Sequence, residues 1–233
     1  MSWWMLAVAI MLILFIYSGW PVIWTRVFHR SCIRLTNRPN SVSLTFDDGP
    51  DPAYTPRLLD VLKEHNVHAS FFVLARKARE HPEIIKRMLD EGHDVQIHGF
   101  QHWFVPLLHP VATYEQCLGA AKALSARFGT VPLVYRPTWG ACNLITLLIM
   151  RFSRMRLCTW SVMVGDWRRT EPTELVRRIE KKLGDGSIIV LHDSNDTFGA
   201  EDGAADRVIL AIPAIVDLVR RKGYHFIRIS ECV

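Results

Sequence analysis

Residues 41–50, SVSLTFDDGP, join a strand-forming run to two adjacent acids and a turn. Val, Thr and Phe favour strands, whereas Asp, Gly and Pro favour turns, so a strand is expected to end at this point. Asp47 and Asp48 would then lie at the carboxyl end of that strand. Two acids before Gly-Pro are by themselves more often a turn than a catalytic site, so their meaning depends on the rest of the chain.

Short apolar runs alternate with helical patterns from this stretch to the carboxyl terminus. Such alternation is typical of βαβ units with a parallel sheet, and it places the chain in the α/β class. About seven units predict a distorted (β/α) barrel of parallel strands, in which catalytic groups collect where the strands end. The predicted strands are 41–46, 69–74, 94–97, 133–135, 156–162, 187–191 and 224–229, and the predicted helices are 55–65, 82–91, 113–128, 144–152, 172–183 and 206–221.

Further chemically active residues follow the later strands of this prediction. His98 and His102 follow the third strand, Arg136 the fourth, Asp166 the fifth and His192 the sixth. If the two histidines lie on one helical turn, they share a face and can bind one metal ion. Two histidines, one carboxylate and an open position are typical of a catalytic metal site, with a second carboxylate as general base. A histidine pair at this spacing also occurs by chance on protein surfaces.

Five motifs in this order resemble the polysaccharide deacetylases with a NodB homology domain, which form carbohydrate esterase family four. The resemblance covers residues 41–230 and implies a metal-dependent hydrolase on a NodB-like barrel. The motifs are TFDDGPDPAYTPRLLDVL at 45–62, HGFQH at 98–102, YRPTWG at 135–140, GDW at 165–167 and IVLHDS at 189–194.

The resemblance implies roles for the metal ligands and the base. Asp48, His98 and His102 would hold one divalent cation, commonly zinc, with cobalt, manganese and nickel as alternatives. Asp47 would remove a proton from the attacking water, and Arg136 would pair with Asp47 and orient it.

It also implies an acid and a substrate pocket. His192 would protonate the departing amine, and Asp166 would keep His192 in its protonated form. Trp139 and Trp167 would form apolar walls for the acetyl methyl or the sugar face, and the backbone of Tyr135 would contribute to the oxyanion site.

Two positions depart from the family pattern. Gly99 replaces the Ser or Thr that follows the first histidine, and Met163 replaces the Asp that opens the fourth motif. Neither change removes a ligand, base or acid, so we expect an active enzyme, with weaker metal binding or a looser histidine loop.

The amino terminus predicts a single transmembrane anchor. Residues 3–24 are almost entirely apolar, no charge precedes Arg26, and Trp lies at both ends. A cleaved signal peptide is disfavoured because a basic start and an A-x-A-like site are absent. We divide the chain into an anchor (1–25), a basic linker (26–40) and a deacetylase domain (41–233). Arginines after the helix favour a cytoplasmic domain, as do five scattered cysteines, whereas deacetylases of this family usually work outside the membrane.

The expected function is removal of acetyl groups from N-acetylglucosamine units of a peptidoglycan-like or chitin-like polysaccharide. Alternatives are a membrane glycolipid or lipid-linked precursor as substrate, O-acetyl ester hydrolysis, and a silent carbohydrate-binding module. The net charge of +5 is small and no basic run alternates with aromatics, so nucleic acid is not an expected partner. We expect a monomer. The apolar loop HWFVPLLHP at 102–110 predicts either a lipid- or sugar-facing rim or local packing.

Overall fold

One curved sheet of eight short strands, paired in parallel, forms the centre of this computed structural model, which describes residues 2–233. The order is β5-β4-β3-β2-β1-β7-β6, and β8 pairs with the start of β1. The strands are β1 (Ser41–Asp47), β2 (Ser70–Leu74), β3 (Asp94–Gly99), β4 (Val134–Tyr135), β5 (Arg156–Leu157), β6 (Val162–Met163), β7 (Ile188–His192) and β8 (His225–Phe226).

The two edges of the sheet are joined by the chain itself. β5 and β6 lie at opposite ends of the strand order, yet only residues 158–161 separate them. The sheet must therefore curl until its edges approach, which confirms the expected distorted barrel of seven parallel strands. The single strand predicted at 156–162 is wrong, because hydrogen bonding changes sides within it: Cys158 N–H donates to Tyr135 O (2.8 Å), whereas Ser161 N–H donates to Ile188 O (3.1 Å).

Helices surround this sheet. Those after β1 follow the predicted periodicity, and the short α4 was not predicted because its sequence, ARKARE, has almost no apolar periodicity. π-helical turns at Phe15–Gly19 and Glu115–Gly119 connect α1 to α2 and α6 to α7. The helices are α1 (Trp3–Leu14), α2 (Trp20–Arg26), α3 (Thr55–Glu64), α4 (Ala75–Glu80), α5 (Pro82–Asp90), α6 (Pro110–Tyr114), α7 (Ala120–Phe128), α8 (Leu144–Phe152), α9 (Pro172–Glu180) and α10 (Ala204–Arg221).

The two faces of β1 differ in polarity, because one face joins the hydrophobic core and the other carries polar side chains. Every residue of the strand is buried, but Val42, Leu44 and Phe46 join the hydrophobic core whereas the alternate positions are Ser, Thr and Asp. Because side chains alternate along a strand, the polar set faces the opposite side of the sheet. Thr45 on that side contacts Arg136 (2.8 Å), so a polar interior runs along β1 toward Asp47.

The amino-terminal region packs on the domain along part of its length. The helical stretch Trp3–Arg26 is long and apolar enough to cross a membrane. The predicted basic linker lies against the sheet, since Ile33 forms a bridge with Cys158 and Leu35 with Ser187. The division into anchor, linker and catalytic domain stays a prediction, and residue 1 lies outside the described residues.

Candidate active site

The proposed metal ligands form a tight cluster. Asp48 Oδ1 lies 3.1 Å from His98 Nε2 and 3.3 Å from His102 Nε2. These three groups present ligand atoms no more than 4.8 Å apart. With metal–ligand bonds of about 2.0–2.2 Å, tetrahedral geometry places neighbouring ligand atoms roughly 3.3 Å apart, which is the spacing found here. Asp48 Oδ1 is buried and lacks a hydrogen-bond partner, so the donor set fits a divalent cation.

Burial and charge suit these side chains to that task. Burial opposes ionisation of Asp48, but the adjacent imidazole of His98 holds the pKa of this carboxyl well below its usual range. Burial lowers the pKa of His102 to about 4, so its imidazole is neutral at neutral pH and keeps a lone pair for a metal. His98 Nδ1 lies 2.7 Å from the carbonyl of Arg136, a contact that directs His98 Nε2 toward Asp48.

The two histidines do not share a helical turn. His98 belongs to β3, whereas His102 lies in the turn that follows Gly99. Gln116 fixes this loop, because its Oε1 accepts hydrogen bonds from the N–H groups of Phe100 (2.5 Å) and Gln101 (3.1 Å). A side chain on Gly99 would approach the same oxygen to 2.6 Å. Gln116 was missed in the sequence because it comes from a helix, sixteen residues after Phe100.

Asp47 and Arg136 form a buried ion pair beside this cluster. Arg136 Nη1 lies 2.6 Å from Asp47 Oδ1, and both side chains are almost completely inaccessible. The guanidinium also donates to the carbonyl of Thr159 (3.1 Å) and lies over the ring of Phe72, 3.9 Å from its centroid. Asp47 Oδ2 is 4.0 Å from His98 Nδ1, so the carboxylate adjoins the cluster without belonging to it.

His192 and Asp166 form a second pair of a basic and an acidic side chain in this site. Asp166 Oδ2 lies 3.1 Å from His192 Nδ1 and accepts a hydrogen bond from the His192 backbone N–H (2.7 Å). Burial opposes the charged imidazole, but the Asp166 charge and hydrogen bond raise the pKa of His192 to about 10. The imidazolium therefore persists at neutral pH, and its Nε2 remains available to a substrate.

A pocket opens over these groups. Trp139 packs edge-on against His102 with ring centroids 4.2 Å apart, and Trp167 packs in the same way against His192 at 5.7 Å. Both tryptophans line the pocket, as do Met163 at the departure from the family motif and Arg26 from the end of α2. Both predicted tryptophans therefore lie at the pocket, and their role as walls for a substrate stays a prediction.

Tyr135 does not reach this pocket. Its side chain is completely buried in the hydrophobic core, and its carbonyl is paired with the N–H of Cys158. The side chain of the next residue, Arg136, is also buried but pairs with Asp47 at the site. A contribution of Tyr135 to substrate binding stays a prediction and would have to come from its backbone.

Several supporting residues of the site were also missed in the sequence. Lys77 Nζ donates to the carbonyl of Asp48 (2.8 Å) and to Ser194 Oγ (2.9 Å). Thr55 Oγ1 donates to the buried Asp193 (2.6 Å), whose pKa burial raises to about 7. Thr55 and Asp193 fall within quoted motifs, TFDDGPDPAYTPRLLDVL and IVLHDS, but nothing in the sequence pairs them.

Comparison with known proteins agrees with this geometry. Residues 34–157 match the family model for polysaccharide deacetylases. The chain is 32% identical over 190 residues to the peptidoglycan-N-acetylglucosamine deacetylase PgdA of Listeria monocytogenes, covering 82% of this chain and 38% of that relative. It is 31% identical to the chitooligosaccharide deacetylase of a Bradyrhizobium strain, covering 79% of this chain and 87% of the relative.

A solved structure shares the fold along most of its length. The Bc1960 peptidoglycan N-acetylglucosamine deacetylase superposes with a TM-score of 0.79 at 27% identity, covering 88% of this chain and 93% of that one. The family model spans more than half of the chain, and the Bradyrhizobium relative is covered almost to its full length. The chain belongs to the polysaccharide deacetylase family, carbohydrate esterase family four with the NodB homology domain.

Proposed function

We propose that this chain is a membrane-anchored, metal-dependent de-N-acetylase. It hydrolyses the acetamide of N-acetylglucosamine-type sugars in a cell-wall polysaccharide and releases acetate and a free amine. The observation that carries the proposal is the cluster of Asp48, His98 and His102, flanked by two ion pairs. These are the buried Asp47–Arg136 pair and the Asp166–His192 pair, in which His192 is partly exposed.

Asp48, His98 and His102 would hold the cation, with zinc as the metal we propose because histidine nitrogen and carboxylate oxygen suit it. When bound, such a cation polarises a carbonyl and lowers the pKa of a neighbouring water. Asp47 takes the proton from the attacking water, and Arg136 holds the carboxylate in position at 2.6 Å.

Bond cleavage needs a proton on the leaving nitrogen. As the water oxygen bonds to the acetyl carbon, the carbon–nitrogen bond breaks and the nitrogen takes a proton from His192 Nε2. Asp166 at 3.1 Å from Nδ1 stabilises the imidazolium that supplies this proton. The acetic acid formed loses its proton to give acetate, the proton on Asp47 passes to solvent, and His192 regains a proton from solvent, so that the free amine, acetate and one released proton account for all atoms.

The substrate is proposed from two observations. Trp139 and Trp167 offer apolar surfaces on either side of the pocket, against which an acetyl methyl or a sugar face can pack. The relatives are named as deacetylases of peptidoglycan and of chitooligosaccharides, so N-acetylglucosamine units are the sugars that we propose.

A membrane glycolipid is the second candidate substrate. Arg26, the last residue of the apolar helix Trp3–Arg26, lines the pocket and donates to the carbonyl of Trp139 (2.9 Å). A guanidinium at the end of a membrane helix is suited to a lipid phosphate next to the sugar.

The side of the membrane on which the catalytic domain lies distinguishes the two candidate substrates. Alkaline phosphatase fused after Val233 is active only outside the cytoplasm. Activity of the fusion favours the cell-wall polymer, and an inactive fusion favours a lipid-linked precursor at the cytoplasmic leaflet.

Acetate release tests the activity itself. The full chain, with zinc, is assayed on N-acetylglucosamine oligomers, N-acetylated glycolipids and an O-acetylated xylan. We expect amide hydrolysis that a chelator abolishes and zinc restores, and Asp47→Asn should lower kcat by about 10²–10⁴-fold while still binding zinc. Undiminished activity of Asp47→Asn refutes this mechanism. Sugar binding by the full chain without acetate release indicates a silent carbohydrate-binding module. Acetate release only from the O-acetylated xylan indicates an esterase.

A further inference from the structure

The second half of the apolar helix is fastened to the catalytic domain. Tyr17 Oη donates to the carbonyl of Leu108, and Ser18 Oγ donates to that of Pro106 at 2.6 Å. Farther along, Pro21 and Thr25 are buried. Only α1, in which no residue is buried, stands free of the domain.

The free part is too short to cross a bilayer. Its 12 residues rise about 18 Å at 1.5 Å each, whereas the hydrocarbon core is about 30 Å thick. The missing ~12 Å needs roughly eight more residues, which extends the span to about Val22. Tyr17 and Ser18 fall inside that stretch, so the domain surface that they touch lies at the same depth.

That surface is apolar. Around the docked helix lie Phe104 (45% exposed), Leu107 (74%), Val111 (67%), Leu148 (45%) and Phe152 (82%), which we call the anchor-side face. They belong to the loop after β3, to α6 and to α8, and the docked turn Phe15–Gly19 packs against that loop and α8. Several large exposed apolar side chains on neighbouring elements mark an interaction surface.

Most backbone carbonyls of this loop are hydrogen-bonded within the protein, as an environment without water requires. Carbonyls at lipid depth must be hydrogen-bonded within the protein. Leu107 N–H donates to Phe104 O (3.2 Å), and buried Asn143 donates to Val105 O (2.9 Å) and Leu108 O (3.1 Å). The carbonyl of Pro106 takes the Ser18 hydroxyl, so four of the five carbonyls from Phe104 to Leu108 are hydrogen-bonded within the protein.

Basic residues surround the end of the same face. Arg30 follows the helix, and Arg151 and Arg154 flank Phe152 at the end of α8. Arg30 and Arg151 are exposed. Guanidinium groups beside an apolar face match the phosphates of anionic lipids at headgroup level.

We propose that the anchor-side face is immersed in an anionic lipid bilayer, so that the catalytic domain sits partly in the membrane and does not hang from it on a tether. The inference rests on the membrane-anchor part of the proposed function. The pocket then opens at the bilayer surface, because Phe104 packs on Trp139 (5.6 Å), which packs on His102.

Cysteine labelling measures the immersion directly. Leu107→Cys and Leu210→Cys are made in the full chain and assembled into nanodiscs of phosphatidylcholine and phosphatidylglycerol, which leave both bilayer faces open to water. Leu210 on α10, 62% exposed, is the control because α10 packs against α3 and α9, away from the docked helix. A charged maleimide is added, and peptide mapping separates each site from the native cysteines.

We expect the thiol introduced by Leu107→Cys to react at least tenfold more slowly than that introduced by Leu210→Cys, although Leu107 is the more exposed in the protein. Val111→Cys should show the same protection, and thermal melting verifies the fold of each variant. Equal rates at positions 107, 111 and 210 in nanodisc-bound protein overturn immersion and leave the anchor intact. A chain that does not assemble into nanodiscs overturns both. Acetate release, assayed separately, bears only on the enzymatic proposal.

Discussion

Adjacent carboxylates at a strand end would ordinarily point to opposite faces of the sheet, since side chains alternate along a strand. Asp47 and Asp48 nevertheless line the same pocket. The reason lies in the backbone of Asp48, whose φ of 77° is in the left-handed region and turns the second carboxylate toward the histidines. This conformation costs about 1–2 kcal/mol, which the Lys77 contact with the Asp48 carbonyl and the Thr197 contact with its Oδ2 (2.8 Å) help to offset.

Asp166→Asn should shift the pH dependence of catalysis. Asp166 raises the pKa of His192 to about 10, and the proposed mechanism needs the protonated imidazole, so activity is expected to fall as the pH rises through that pKa. Without the carboxylate, the pKa falls toward or below the ordinary value of about 6.5. We therefore expect the alkaline limb of the kcat/KM profile to move to lower pH by more than about one unit. Asp185→Asn, outside the site, is the control, and an unmoved alkaline limb would show that His192 is not the acid.

At the scale of the element, two irregular features support the site. The π turn Glu115–Gly119 places Gln116 against the histidine loop, where its Oε1 accepts two backbone hydrogen bonds beside Gly99, the position expected to make this loop looser. The junction 158–161 connects the two edges of the sheet, and Arg136 bonds both to it and to β1. Irregular backbone is thus next to both Gln116, which holds the histidine loop, and Arg136, which pairs with Asp47.

Gln116→Leu should weaken metal binding. The substitution removes the acceptor for two loop N–H groups and leaves His102 free to move away from Asp48. We expect zinc affinity to fall by about 10–100-fold, as it does when other residues that support metal ligands are changed. Competition with a fluorescent zinc chelator measures this affinity. Exposed Glu115→Gln on the same turn is the matched control. Zinc affinity of Gln116→Leu equal to that of the control would mean that the loop is held by other contacts.

Arg136→Met should destabilise the fold strongly. It leaves the Asp47 carboxylate buried without its partner, for which about 3–5 kcal/mol is expected. In the double variant Asp47→Asn/Arg136→Met the buried charge is gone, so part of that loss should return. Urea unfolding of both variants and of Asp47→Asn gives the coupling free energy. Additive effects of the two substitutions would contradict a direct electrostatic pairing.

At the scale of the whole molecule, the apolar helix that we propose as a membrane anchor contributes a residue to the pocket. Arg26 stacks on Trp160 at 5.0 Å, donates to the Trp139 carbonyl and lines the pocket. A helix that only tethered the enzyme would need none of these contacts. Anchor, apolar face and pocket together favour a substrate presented close to the bilayer.

Arg26→Ala should impair action on an anionic glycolipid more than on a neutral sugar oligomer. Loss of one charge-assisted hydrogen bond of about 1.5–3 kcal/mol predicts roughly a 10–100-fold fall in kcat/KM for the lipid. Arg30→Ala, on the exposed segment after the helix, is the control. Equal losses on both substrates would assign Arg26 a structural role at Trp139.

The sequence by itself determined the α/β alternation, the parallel barrel and the position of the reactive residues after strands, because these depend on local periodicity and on motifs that are contiguous in the chain. The tertiary structure decided what depends on pairing between distant segments. It divided 156–162 into two strands as the barrel closed, buried Tyr135, brought Gln116 to the histidine loop and placed Arg26 in the pocket. Such contacts join residues between 15 and 113 positions apart, and no local pattern specifies them.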